Sequence, residues 1–310
     1  MPQTNPASAD VQQDAPLIPL PADPPQRRRL AAMFSTLVSL ALLVMVAEQF
    51  RHMEPAAIMA MVPRGGEFWL TFAVWYLAMP LSEWVIYHRL WNLPLSGIGA
   101  LMRKLVSNEL LLGYLGEAQF YAWARSKLDM PTAPFGAIKD VTILSALTGN
   151  IATMVMLVFA WPLVASGAIG MELRSVFISL SVVLGTSFIM LLLRRRLFSL
   201  PRAELRMITA IHFLRIGALV LLSALMWHWV LPAVPVALWL VLATLRMLVS
   251  RLPLIPNKDV VFAGLAVYLI GRETEVADML TMMAALSLLA HLAVGSVFAL
   301  SGLINEARGK

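Results

Sequence analysis

The chain has 310 residues, of which 59% are hydrophobic and only 14% charged, with a net charge of +6 and no cysteine. Soluble domains carry about a quarter charged residues, so this composition excludes an ordinary water-soluble globule and points to a surface turned largely to lipid. The missing cysteines exclude disulfides, thiolate metal sites and thiol nucleophiles. The basic residues gather beside apolar runs, where they act as topology signals and contacts for anionic lipid, not as a nucleic-acid footprint.

Residues 1–26 are rich in Pro, Ala, Gln and Asp and cannot bury a core, so they read as a disordered cytoplasmic tail. Arg27, Arg28 and Arg29 then precede the apolar run Leu30 to Ala47. No small-residue cleavage site follows it, and the run reads as a retained first span with a cytoplasmic N-terminus. The second span is Phe68 to Arg89, with Pro80 as an expected kink and Glu83 as an interfacial carboxylate near His88 and Arg89.

Arg103 to Lys127 does not read as a simple span. It is apolar enough to enter a membrane, yet carries Asn108, Glu109, Gly113, Gly116 and Glu117 through its middle. Basic pairs flank both ends, Arg103 with Lys104 and Arg125 with Lys127, and basic flanks favour the cytoplasmic side. The pattern predicts a re-entrant hairpin turning near Gly113 to Gly116, its turn covered by protein or wetted.

Asp140 opens the third span, Val141 to Val164, where a carboxylate suits the helix N-terminus. The fourth span, Ser175 to Leu193, is closed by Arg194, Arg195 and Arg196. The fifth, about Ile208 to Leu231, carries His212 and Arg215 on one face of its first turns. Pro232 and Pro235 turn the chain into the sixth, which ends at Arg246 to Arg251. A second broken segment follows, with Pro253, Pro256, Asn257, Lys258 and Asp259 before the short apolar run Val260 to Gly271. A final span, to about Leu303, has His291 at its centre.

The expected fold is therefore all-α: a single integral membrane domain over residues 27–306, a helix bundle of about 7–8 spans with two re-entrant or broken helical segments. The corresponding places of those segments hint at an internal repeat, and paired breaks of this kind often hold a transporter's binding site. Whether Val260 to Gly271 crosses decides which side holds the C-terminus.

This layout resembles the lysylphosphatidylglycerol synthase transmembrane domain family of flippase-like integral membrane proteins. The resemblance is carried by Asn108, Gly116, Glu117 and Asp140 in the first half and by Pro253, Pro256 and Asp259 in the second. It implies a bacterial cytoplasmic-membrane protein, without the soluble synthase domain, that handles a lipid or lipid-linked amphiphile.

The leading functional expectation is a flippase-like transporter in which the two broken segments line a polar cavity. Its candidate cavity residues are Asn108, Glu109, Gly116, Glu117, Asp140, Arg215, Arg246, Pro256, Asn257, Lys258 and Asp259. Glu117 and Asp259 would make polar or cationic contacts, while Arg215 and Arg246 would meet a phosphate of an anionic or lipid-linked substrate. The alternative is a non-catalytic scaffold holding an envelope-biosynthesis enzyme as its protein partner. An intramembrane lipid-phosphate transferase using Glu117, Asp140 and an arginine is a third reading. No GxSxG, HExxH or ATP-binding motif is present, and neither a catalytic constellation nor a cofactor or metal is expected.

Overall fold

The structure is a computed structural model that describes residues 62–111, 115–127, 135–165, 173–193, 197–251, 258–270 and 273–307, with Met33 and Leu37. Every regular element among them is an α-helix. In chain order these are α1 (Gly66–Trp91), α2 (Gly97–Leu110), α3 (Leu115–Lys127), α4 (Phe135–Ala165), α5 (Leu173–Leu192), α6 (Arg202–Val230), α7 (Val236–Arg251), α8 (Lys258–Ile270) and α9 (Glu273–Ala307).

Among the described residues four helices are long and apolar enough to cross a membrane: Gly66–Trp91, Phe135–Phe159, Arg202–Val230 and Asp278–Ser301. These match the second, third, fifth and last expected spans. The expected first span, Leu30 to Ala47, lies almost wholly outside the described residues. The expected fourth and sixth spans correspond to α5 and α7, whose apolar stretches are shorter.

Helix α6 is the hub and packs against α1, α4 and α7. Phe68 and Phe72 near the start of α1 share a core with Ala224 and Trp227 near the end of α6. Ile86 and Tyr87 near the end of α1 share another with Ile208 at the start of α6 and with Ile138 and Val141 at the start of α4. The two helices α1 and α6 are therefore antiparallel, and α4 runs parallel to α6. The aromatic core of Trp227, Trp239 and Phe262 joins α6, α7 and α8 at the far end.

Helix α1 ends where Asn92 adopts a left-handed conformation at φ 51°, its N–H donating to the His88 carbonyl. Asparagine tolerates this region better than other non-glycine residues, so it reverses the chain with little strain. The loop that follows is pinned back on α1: the Trp84 indole donates to the Pro94 carbonyl at 3.3 Å, and the His88 ring bonds the Leu93 carbonyl at 2.9 Å.

From this end α2 runs back along the bundle. Met102 and Leu105 meet Tyr76 in mid-α1, and Val106 and Leu110 meet Leu292 of α9. Helix α3 returns beside α2, so that Phe120 reaches Tyr87 and Trp91 at the end of α1. At about 1.5 Å per residue, helices of 14 and 13 residues are each roughly 20 Å long, too short to cross a bilayer core of about 30 Å alone. Together they form a helical hairpin whose two open ends lie at the same end of the bundle. Helix α9 packs antiparallel to α2, with Phe298 on Gly99 and Gly295 on Val106. Its last residues thus lie at the end where α1 finishes.

Candidate functional site

A group of buried charges sits where α1, α2 and α3 meet, close to α6. Glu83 is 4% exposed and Lys104 2%. The Lys104 ammonium donates to both Glu83 carboxylate oxygens, at 2.8 and 2.9 Å. It also stands 3.4 Å from Glu117 Oε1, so one cation is shared between two carboxylates. An isolated charge is very expensive in an apolar interior, and sharing of this kind is what makes burial tolerable.

Asn108 closes the arrangement. Its amide nitrogen donates to both Glu117 oxygens, at 3.3 and 3.1 Å, and its amide oxygen accepts the Gly116 N–H at 2.7 Å. The same side chain thus supplies a partner to a backbone N–H at the start of α3, which no preceding turn of helix could supply. Gly116 is there because the helices touch: a Cβ at this position would run into the Lys104 carbonyl and the Asn108 side chain. Ser107 donates to the Gln119 side chain at 2.6 Å, a second polar rung between α2 and α3.

Arg215 lies on the α6 side of this group and is also buried. Its guanidinium donates to Ser145 of α4 at 2.9 Å and reaches Ser82 of α1 at 3.5 Å. It feels the Glu83 carboxylate electrostatically but forms no ion pair with it. One turn earlier, His212 is fully buried with its Nε2 3.2 Å from the Val141 carbonyl.

Asp140 has a different task. Its Oδ2 accepts the N–H groups of Ser199 at 2.6 Å and Leu200 at 2.8 Å, while Lys139 stands 3.4 Å from its other oxygen. Helix α4 begins at Phe135, so Asp140 lies in its second turn and not at the expected helix start, and this buried carboxylate fastens the segment that leads into α6.

Of the residues singled out from the sequence, the fold brings Asn108, Gly116 and Glu117 together, with Arg215 nearby. Glu109 is exposed on α2 and does not join them. Arg246 lies elsewhere: its guanidinium sits 5.9 Å from the Trp227 ring centre and 5.7 Å from that of Phe262. Trp227 is twelve residues beyond Arg215 on the same helix, a rise of about 18 Å. The expectation that both arginines meet one phosphate therefore has no counterpart in the geometry, because Arg246 is drawn into a cation–π site at the far end. Pro256 and Asn257 lie outside the described residues, as do the side chains of Lys258 and Asp259 at the start of α8.

Sequence reasoning missed Lys104, Ser82, Ser145 and Gln119. Lys104 looked like one half of a basic flank; only the distance from Glu83 shows that it points inward. Glu83 is likewise buried and paired, not interfacial, because Lys104 reaches it from the neighbouring helix. Among the described residues no three carboxylates or imidazoles converge as a metal would require. The chain matches no family model, no curated protein and no solved structure.

Proposed function

We propose that this chain is a flippase-like carrier of a lipid or lipid-linked amphiphile in a bacterial cytoplasmic membrane, as its resemblance to the lysylphosphatidylglycerol synthase transmembrane family implies. One observation carries the reading: Lys104 and Glu117 of a hairpin of two short helices gather with Glu83 and Arg215 of two helices long enough to cross a membrane. Ionisable groups at membrane depth are expensive and typically mark the path of a polar cargo. In this reading α2 and α3 are a re-entrant hairpin that enters from the cytoplasmic side, where Arg89, Lys127, Arg202 and Arg206 are exposed. Parting of the hairpin from α1 breaks the Lys104–Glu83 pair, which joins α2 to α1, and leaves Lys104, Asn108 and Glu117 together on the hairpin. This opening offers Asn108, Glu117 and Lys104 to a headgroup while the acyl chains stay in lipid. Without an ATP-binding motif, movement is downhill or coupled to an ion gradient.

Reconstitution tests this directly. Purified protein in liposomes containing a fluorophore-labelled phospholipid should make the inner-leaflet label accessible to an impermeant quencher faster than empty liposomes do. Glu117→Gln should keep the fold, since Glu117 is partly exposed, yet slow the exchange at least about tenfold, as loss of a charge-assisted contact of 1.5–3 kcal/mol implies. No exchange above background with several phospholipid headgroups sinks the transporter. The same exposed basic residues would then favour the scaffold reading, in which they dock an acidic surface of an envelope-biosynthesis enzyme.

A further inference from the structure

Arg215 stands out among the buried charges because, among the described residues, no carboxylate pairs with it. A guanidinium has five N–H donors and no means of losing its charge. Here it meets two hydroxyls, Ser145 at 2.9 Å and Ser82 at 3.5 Å, and among the described residues no carboxylate lies within ion-pair distance. Glu83 is the carboxylate whose field it feels, and both Glu83 oxygens are already taken by Lys104.

The surroundings explain why the shortfall matters. Arg215 is 8% exposed in the middle of α6, a helix long enough to cross a membrane, so its charge lies largely out of bulk water. Buried charges are usually met by a paired opposite charge with good geometry. The two serines come from different helices, α1 and α4, and converge on one guanidinium. The Ser145 hydroxyl can donate as well as accept, so it can turn toward an anion while still lying against the arginine, whereas Ser82 donates to the Met79 carbonyl at 2.8 Å and exchanges that bond for the anion. Both serines and Arg215 retain some exposure, which leaves the group reachable.

We infer that Arg215, Ser82 and Ser145 form an anion site that takes a singly charged phosphate ester, with the guanidinium as the charge and the two hydroxyls as orienting donors. The inference rests on the carrier reading for the source of the phosphate but not for the site itself. A phosphodiester headgroup and a free phosphate share the chemistry, and they are separated by experiment. Arg246 plays no part, since its guanidinium is held against Trp227 and Phe262.

The test is ligand-dependent stability of the full chain in a neutral detergent, followed by tryptophan fluorescence on heating. The probes are inorganic phosphate, dihexanoyl phosphatidylglycerol and, as a phosphate-free control, dihexanoyl glycerol. The expected result is a concentration-dependent rise in melting temperature with the phosphatidylglycerol and none with the control. Ser145→Ala should weaken the apparent affinity about tenfold with little change in the melting temperature without ligand, and Arg215→Gln should abolish the response. Stabilisation by inorganic phosphate alone, lost in the same variants, keeps the anion site and removes the lipid as its source. Arg215-dependent binding without lipid movement in liposomes keeps the site and defeats the carrier. If neither phosphate probe stabilises the protein, or Ser145→Ala binds as the parent does, the site is overturned and Arg215 serves only to balance the Glu83–Lys104–Glu117 charges.

Discussion

At the scale of single residues, the buried charges make sense only as a group. Lys104 satisfies Glu83 with two short bonds, and removing it leaves a carboxylate with 4% exposure and, among the described residues, no ion-pair partner. Breaking a buried pair from one side typically costs about 3–5 kcal/mol, mostly because the remaining charge stays buried. Lys104→Met should therefore lower the melting temperature severely. Adding Glu83→Gln to it should recover much of the loss, since a neutral amide need not be paired with a cation. Thermal unfolding of the two single variants and the double variant measures this, and simple additivity would show that the pair is not coupled. Lys104 was not legible as a core residue in the sequence. It follows Arg103 at the edge of an apolar stretch, and a basic pair there has the same appearance whether it faces headgroups or a carboxylate 21 residues away. Asn108, Gly116 and Glu117 were legible, because polar and helix-weakening residues have no place in the middle of a plain span.

Elements are held by two separate devices, one in the hairpin and one at α4. The first is the close approach of α2 and α3 at Gly116, where the backbone of one helix lies against the Lys104 carbonyl of the other. Gly116→Ala must push the helices apart and stretch the Asn108 bridge to Glu117. Overpacking of this kind costs about 1–3 kcal/mol, and the shift should also expose the Lys104–Glu117 contact. Amide exchange over residues 104–120 should rise in the variant well beyond the change elsewhere, whereas unaltered protection would mean that the hairpin tolerates a Cβ there. The second device is Asp140, which holds the N–H groups of Ser199 and Leu200. Asp140→Ala orphans both and should destabilise the protein by about 2–4 kcal/mol, counting 1–3 kcal/mol for each donor left without a partner and some rescue by water. Asp140→Asn keeps an acceptor oxygen and should lose less than half of that. The sequence suggested the simpler role of a carboxylate at a helix start. The long-range clamp was hidden, since nothing at positions 199 and 200 signals that their backbone is the partner.

For the molecule as a whole, the arrangement of helix ends makes a topological statement. The end of α1, both open ends of the α2–α3 hairpin, and the starts of α4 and α6 all lie together, and Arg89, Lys127, Arg202 and Arg206 are exposed there. The charge pattern alone predicts a segment that enters and returns, because basic flanks on both sides of one apolar segment conflict with a single crossing, but the fold buries Lys104 of the first flank against Glu83. The tail of the bundle was not readable this way: the break after α7 left open whether Val260 to Gly271 crosses, and only the antiparallel packing of α9 on α2 places its final turns beside Gly99 and Arg103. Because the native chain has no cysteine, single cysteines report sidedness without background. Ser96, Ser126 and Ala203 are exposed at the basic end, while Gly66 and Ala233 are exposed at the other, and a side chain at Gly66 meets no neighbour. An impermeant maleimide should label the first three only from the cytoplasmic side and the last two only from the opposite side. The decisive comparison is Ser96 with Ser126, which bracket the hairpin. Labelling of both from one side means that α2 and α3 enter and return, so the charges behind them can open to a single aqueous face at a time. Labelling from opposite faces would make the segment a crossing, invert every helix after it, and place Arg202 and Arg206 where the positive-inside rule disfavours them.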